Sequence, residues 1–180
     1  MSELKSTRTK PRHAPMDQFA VVNNCLQIGG RSLTEIAAQL GSTPFYAYDS
    51  AVMTAQVDKL RAALPSGIHI HYAIKANPMP AVVQHLAGIT DGLDVASAGE
   101  LAVALATGID PRNISFAGPG KSPADLAAAV ISGVIVNMES EGEMARIAAL
   151  ATATGTRPRV SIRVNPDFEL KTSGMKMGGG

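Results

Sequence analysis

Residues 134–150 read VIVNMESEGEMARIAAL, and this stretch carries the pattern that decides the fold. A short run rich in β-branched residues ends at Met138, and an alanine-rich helical segment follows it almost at once. Ser140 and Glu143 have the spacing of a capping box, in which two side chains bind unpaired amides at the start of a helix. The stretch therefore predicts one strand followed by one helix, which Gly155 ends.

The same strand-then-helix pattern recurs through most of the chain. Helices are predicted at about residues 80–87, 97–108, 122–133 and 140–155, with serine or proline at their starts and glycine at most of their ends. The strands between them repeat at intervals of about 20 to 25 residues, the length of a strand–helix unit. Such alternation predicts parallel strands joined by right-handed crossovers. The predicted strands cover residues 69–75, 93–96, 113–117, 134–138 and 159–164.

The chain before residue 69 carries a different set of elements. A strand is predicted at residues 44–48, and a short extended piece is predicted at residues 25–28. A helix at residues 32–41 opens with the capping pair Ser32 and Glu35. A second helix begins near Asp49 or Ser50 and ends at Pro65. One face of that helix carries Met53, Val57, Leu60 and Leu64.

An open doubly wound sheet and a (β/α)8 barrel both fit the alternation. No glycine-rich turn follows the first strand of the repeat, which argues against a dinucleotide-binding unit. A barrel places functional residues at the carboxyl ends of its strands in general, whereas an open sheet concentrates them at one switch point. The pattern favours a partial (β/α)8 TIM barrel of about five units, and the chain, ending in glycines 178–180, is expected to be a truncated piece of it. Polar residues fall at or near the carboxyl ends of most strands: Lys75, Asp94, Asn137, Glu139, Arg163 and Asn165.

Composition excludes several classes of protein. Hydrophobic residues make up 46% of the chain, which indicates a globular protein, and a net charge of +1 without a basic face argues against nucleic-acid binding. No apolar run approaches the roughly 20 residues of a membrane helix. Cys25 is the single cysteine, so a disulfide framework is excluded and a cytoplasmic location is expected. Residues 1–18 are predicted to form a disordered tail.

Two histidines and one lysine on the first strand of the repeat are candidates for a chemical role. His69 and His71 have a spacing at which two histidines can bind a metal, but no third ligand lies near them, so no metal site is predicted. Lys75 ends the same strand, and removing a lysine from water favours its neutral amine, a nucleophile that forms imines with aldehydes. A surface lysine that merely ends a strand is the alternative.

Four blocks of sequence resemble, in order and spacing, the pyridoxal 5'-phosphate-dependent decarboxylases of ornithine, diaminopimelate and arginine. The first block is YAIKAN at residues 72–77, with Val82 and Val83 downstream. The others are GLDVASAGE at 92–100, ISFAGPGK at 114–121 and VSIRVNP at 160–166. The similarity runs from about Thr43 to the end of the chain. That family shares its barrel, the third fold type of pyridoxal-phosphate enzymes, with alanine racemase.

The resemblance implies roles for individual residues. Lys75 would hold the cofactor as an internal aldimine, which the substrate amine displaces before CO2 is lost. Asp94 and Arg163 match polar residues that line the cofactor pocket; a turn residue and a structural ion-pair partner are their respective alternatives. Glu100 is sufficiently explained by its capping of the helix that begins at Ser97.

The resemblance also implies a domain plan. Residues 19–48 would contribute to a second β-domain and lead into the barrel, and residues 49–180 would form the N-terminal part of the cofactor-binding barrel. A homodimer is expected, because in the family that β-domain completes the site of the neighbouring subunit. The remaining cofactor ligands would lie beyond residue 180, so this chain alone is expected to be inactive.

Three functions are compatible with these patterns. The leading one is decarboxylation of a small amino acid of the diaminopimelate or ornithine kind. The others are a racemase or another cofactor-carrying barrel protein, and a catalytically inactive homologue that binds a partner. The block at 92–100 favours a decarboxylase over a racemase, and the intact Lys75 argues against an inactive homologue. Residues 116–121 and 171–177 most resemble a decarboxylase subgroup associated with bacterial exosortase and exopolysaccharide gene clusters.

Overall fold

The computed structural model describes residues 16–164 of the chain. Residues 1–15 of the predicted tail, Asn165, the loop at 171–177 and the glycines at 178–180 lie outside the described residues. The chain divides into two compact units, Met1–Met53 and Thr54–Gly180. No helix in the described range has both the length and the apolar character needed to cross a membrane.

The first unit contains a small antiparallel sheet. Its strands are β1 (Val21–Val22), β2 (Cys25–Ile28) and β3 (Arg31–Ser32), which confirms the extended piece predicted at 25–28. Both connections are two-residue turns in which the two central residues have positive φ, the geometry that matches the twist of paired strands. Helix α1 (Leu33–Leu40) follows directly, with the predicted capping box of Ser32 and Glu35.

The strand predicted at residues 44–48 is wrong. Phe45, Tyr46 and Tyr48 favour strands by composition, but this segment pairs with no other strand among residues 16–164, and Tyr46 is 90% exposed. Without a partner, strand propensity does not produce a strand. Helix α2 (Ser50–Ala63) then begins where it was predicted, because the Asp49 carboxylate accepts hydrogen bonds from the first free amides. Its predicted apolar face is only partly covered, since Leu60 is 48% exposed.

The second unit is built on five parallel strands. They are β4 (His71–Ala73), β5 (Gly92–Val95), β6 (Ile114–Phe116), β7 (Ile135–Met138) and β8 (Arg159–Ile162), and they lie side by side in chain order. Strand order without a reversal fits a barrel, because a doubly wound sheet reverses at its switch point. The five predicted strands are confirmed, although β4 is shorter than residues 69–75, because the chain enters a 3-10 turn at Ile74–Ala76.

Four helices cover one face of this sheet. They are α3 (Pro80–Ala87), α4 (Ala98–Ala106), α5 (Pro123–Ser132) and α6 (Glu141–Thr154), close to the predicted ranges. Alternate strand residues pack against them, and Phe116 is completely buried. On α6 the burial does not follow hydrophobicity: Met144 is 51% exposed, while Glu143 is buried. The core consists mainly of Leu93, Val95, Leu101, Ile114, Phe116, Leu126, Val134, Val136 and Ile147.

Two exposed or half-buried carboxylates of this unit are stabilised in their charged form. Hydrogen bonds from the Arg112 side chain and amide lower the pKa of Asp110 from 3.8 to about 2. The Ile70 amide, which donates to Asp91 at 2.7 Å, lowers the pKa of that carboxyl group as well. A carboxyl group whose pKa is lower in the folded state binds protons more tightly once the chain unfolds.

We therefore expect acid to destabilise this unit over a defined range. The stabilisation from ionised Asp110 is complete above about pH 4 and is lost as the pH falls toward about 2, because protonation then favours the unfolded chain. The stabilisation from Asp91, whose pKa is also lowered by folding, is likewise lost as the pH falls. Urea unfolding at a series of pH values measures this loss. The variant Asp91→Asn should show a shallower decrease, and an unchanged slope would contradict the assignment.

Candidate active site

Lys75 lies in a tight turn directly after β4. Ile74, its neighbour in the 3-10 turn, is fully buried, and the Tyr72 hydroxyl donates to the Asn77 carbonyl oxygen at 3.0 Å, which holds the two ends of the turn together. Lys75 itself is exposed, and its amine has no hydrogen-bond or ion-pair partner among residues 16–164. The predicted burial of this lysine is therefore not seen, because β4 is an edge strand of the described sheet.

Asp94 lies on the face of the sheet opposite the helices. It pairs in register with Ala73, the last residue of β4, and with Ser115 of β6. The Ser115 hydroxyl donates to Asp94 Oδ1 at 2.9 Å, and His71 Nδ1 lies 3.3 Å from the same oxygen. The Asp94 side chain is 43% exposed, so Asp94 is an accessible carboxylate with two neighbours that orient it.

The His71 ring also packs closely against the neighbouring strand, at Gly92. A Cβ atom on Gly92 would lie 2.4 Å from the imidazole ring and 2.5 Å from the Asn113 carbonyl oxygen, so only glycine fits at the start of β5. The ring therefore packs directly on the backbone of the neighbouring strand. Among residues 16–164, no group of three or more histidine, cysteine or acidic side chains could hold a metal ion.

Arg163 and Glu139 are each the first residue after neighbouring strands. The Arg163 guanidinium donates to Glu139 Oε2 at 3.1 Å, and the Gly118 amide donates to Glu139 Oε1 at 2.8 Å. The Glu139 side chain is 8% exposed and that of Arg163 is 29% exposed. Arg163 thus has the ion-pair partner that the sequence left open as its alternative role, and it still presents part of its surface to solvent. Nearby, the Ser161 hydroxyl donates to Asn137 Oδ1.

A buried ion pair that the sequence did not predict lies beneath Glu139. The Lys121 and Glu143 side chains are each only 1% exposed, and Lys121 Nζ lies 3.0 Å from Glu143 Oε1. Lys121 ends the ISFAGPGK block, and Glu143 had been interpreted only as a helix cap. The pair links residues that are 22 positions apart, and no local pattern marks such a contact.

The three predicted site residues do not contact one another. Asp94 lies with His71 and Ser115, Arg163 is paired with Glu139, and Lys75 has no polar contact with either group. Four strand spacings, roughly 19 Å along the sheet, separate the strands that precede Lys75 and Arg163. A flat sheet would keep these residues apart, whereas a closed barrel directs all its carboxyl ends toward one mouth.

Comparison with known proteins shows the family to which this chain belongs. Residues 50–180 match the family model described as the pyridoxal-dependent decarboxylase, pyridoxal binding domain. Diaminopimelate decarboxylase of Aquifex aeolicus is 40% identical over 148 residues, which are 82% of this chain and 35% of that protein. The L-glutamyl-[BtrI acyl-carrier protein] decarboxylase of Niallia circulans is 38% identical over 138 residues, which are 76% of this chain and 32% of that enzyme.

A solved structure agrees with these matches. The crystal structure of diaminopimelate decarboxylase from Helicobacter pylori complexed with L-lysine superposes with a TM-score of 0.68 at 34% identity, covering 77% of this chain and 36% of that one. The chain spans about a third of the length of the relatives it matches. The five parallel strands and their helices are part of the family's (β/α)8 barrel, and the chain belongs to the pyridoxal-dependent decarboxylase family, within its pyridoxal-binding domain.

Proposed function

We propose that the protein containing this chain decarboxylates an amino acid and that Lys75 carries its pyridoxal 5'-phosphate. One observation supports this most directly: the Lys75 amine, at the carboxyl end of β4, has no partner among the described residues, in a chain that matches a pyridoxal-binding domain. A surface lysine that merely ends a strand would also have no partner, and the match to a pyridoxal-binding domain is what favours the cofactor role. An amine without a partner is free to bond to the cofactor's aldehyde.

The other candidate residues have the chemistry that such a cofactor requires. Pyridoxal phosphate carries an aldehyde, a phenolic oxygen, a ring nitrogen and a phosphate group. The Arg163 guanidinium suits an anionic oxygen and keeps 29% of its side chain exposed, while the Asp94 carboxylate suits a protonated or hydrogen-bonding group. The donor set of this edge therefore fits the cofactor.

In this proposal each side chain has a separate task. Lys75 bonds to the cofactor, Arg163 binds an anionic oxygen, and Asp94 accepts a hydrogen bond while Ser115 and His71 hold its orientation. Bound pyridoxal phosphate supplies an electron sink for the electron pair that remains when CO2 leaves the substrate. Glu139 offsets the charge of Arg163 and so sets how strongly the guanidinium binds an anion.

The substrate is proposed to be a small amino acid of the diaminopimelate or ornithine kind. Relatives named diaminopimelate decarboxylase and a solved complex with L-lysine support this class. The Niallia circulans relative acts on a glutamyl group carried by a protein, so a carrier-bound amino acid is the second candidate. The racemase and the inactive homologue stay as alternatives, and the resemblance to the exosortase-associated subgroup stays a prediction.

We also propose a domain plan, an oligomeric state and a cellular location for the protein. Residues 19–48 are assigned to a second β-domain, and the antiparallel pairing of β1, β2 and β3 supports this assignment. Residues 49–180 are assigned to the barrel. We propose a homodimer in the cytoplasm; the single cysteine, Cys25, supports a reducing compartment.

The attachment of the cofactor can be tested directly. The complete polypeptide is expected to absorb in the near-visible when loaded with pyridoxal phosphate, and borohydride reduction should fix the cofactor covalently. Peptide mapping should then find the label within residues 72–77, on Lys75. A label on Lys59 or Lys121, or no label at all, would overturn the proposal.

A further inference from the structure

Lys121 and Glu143 form the most deeply buried charged contact among the described residues. Lys121 Nζ donates to both Glu143 oxygens, at 3.0 and 3.2 Å. It also donates to the carbonyl oxygens of Gly118 and Asn137, each at 2.7 Å. The ammonium group therefore has more acceptors than it has protons, and no buried side-chain nitrogen or oxygen in the described range lacks a partner.

Stability of the fold alone does not account for this pair. Removing two charges from water costs several kcal/mol per ion, and apolar residues of similar volume often stabilise a core equally well or better. A buried ion pair does, however, fix geometry, because each hydrogen bond has a preferred direction and no solvent molecule can replace it. The hydrogen bonds around Lys121 and Glu143 indicate which neighbouring groups the pair holds in place.

These contacts form a closed ring through four residues. Glu143 binds Lys121, and Lys121 binds the Gly118 carbonyl oxygen. The Gly118 amide donates to Glu139 Oε1 at 2.8 Å, and the Glu139 amide donates back to Glu143 Oε2 at 2.8 Å. Both the backbone and one carboxylate oxygen of Glu139 are therefore held by the ring. The other oxygen, Oε2, is the atom that binds Arg163.

We propose that Lys121 and Glu143 are positioning residues of the cofactor site, which hold Glu139 and thereby set the direction of the Arg163 guanidinium. The expected effect of Lys121 and Glu143 on cofactor binding rests on the proposed function, in which Arg163 contacts the cofactor. The ring joins the loop after β6, the end of β7 and the start of α6. A shift in any of these segments would move the guanidinium.

Glu143→Gln tests the proposal in the complete polypeptide. Glutamine keeps the size of the side chain but has no charge and one acceptor oxygen. If that oxygen stays with the Glu139 amide, an NH2 donor replaces the oxygen that accepts from the Lys121 ammonium at 3.0 Å, so the contact with Lys121 is disturbed. We expect the Kd for pyridoxal phosphate, from spectroscopic titration, to rise about tenfold. Asp125→Asn is the matched control, because Asp125 is the acidic residue of the first turn of α5, binds two backbone amides, and has no contact in the ring.

A double-mutant cycle separates positioning from general loosening of the fold. If Glu143 acts through Arg163, Glu143→Gln should weaken cofactor binding much less when Arg163 is already alanine. Equal effects in both backgrounds would overturn the proposal. Should Glu143→Gln fail to fold, Glu143→Asp keeps the charge beside Lys121 but is too short to hold the Glu139 amide, and the same cycle applies.

A readout without cofactor distinguishes this inference from the proposed function. The NMR signal of the Arg163 side-chain Nε–H group should shift in Glu143→Gln and stay in place in Asp125→Asn. That result supports the positioning ring even if Arg163→Ala leaves the cofactor Kd unchanged, an outcome that would overturn only the cofactor role of Arg163. An Arg163 signal that does not move in Glu143→Gln would overturn the ring itself.

Discussion

Lys75→Ala is expected to lower kcat by about three orders of magnitude or more, because the variant loses both the covalent attachment of the cofactor and its positioning. Lys75 is exposed and has no partner among residues 16–164, so its removal should leave the fold intact. Decarboxylation measured as CO2 release, with the melting temperature measured in parallel, gives both quantities.

Lys59→Ala is the matched control for that experiment. Lys59 is another exposed lysine, on α2, and its removal should change neither kcat nor stability appreciably. A Lys75→Ala protein with near-normal turnover would contradict the assignment of Lys75. A small primary amine added to Lys75→Ala should restore part of the activity, since it can replace the missing nucleophile.

Lys121→Ala is expected to destabilise the barrel unit by about 3–5 kcal/mol. The substitution leaves the Glu143 carboxylate, whose side chain is 1% exposed, without its counter-charge. Urea unfolding followed by circular dichroism measures the difference. The double variant Lys121→Met with Glu143→Leu should recover part of the loss, because neither charge then remains buried, while the carbonyls of Gly118 and Asn137 and the Glu139 amide lose their side-chain partners.

Arg112→Ala provides the comparison for an exposed ion pair. The Arg112 and Asp110 side chains are 67% and 37% exposed, and exposed pairs of this kind contribute little to stability because solvent screens them, so a much smaller loss is expected than for Lys121→Ala. The two variants each remove one cation from one ion pair, so they differ mainly in burial. Equal losses of stability would show that the burial of Lys121 is not what makes its pair important.

The helices could be predicted well because their signals are local. Ser32 with Glu35, Ser122 before Pro123, and the glycines at 41, 133 and 155 each act within one turn of a helix end, and the structure confirms all of them. The order of strands and helices followed from the same signals. The barrel, in turn, followed from the regular alternation together with the polar residues after the strands.

Contacts between residues far apart in the sequence could not be predicted from such local signals. Residues 44–48 have the composition of a strand, but pairing depends on a partner that composition does not reveal. Glu143 fits the local pattern of a helix cap, and its amide is bound by Ser140, so its second contact with Lys121 stayed hidden. Arg163 was placed correctly after β8, whereas its contact with Glu139 required the structure.

The chain-ordered arrangement of β4 to β8 has a consequence for how the protein is made. Each new strand pairs with the strand synthesised just before it, so every pairing closes a loop of only about 20 residues. Short loops cost little entropy, and a low separation between contacting residues favours fast folding. These five strands can therefore pair one at a time as the chain is synthesised, and the most recent strand leaves its edge unpaired until the next strand is made.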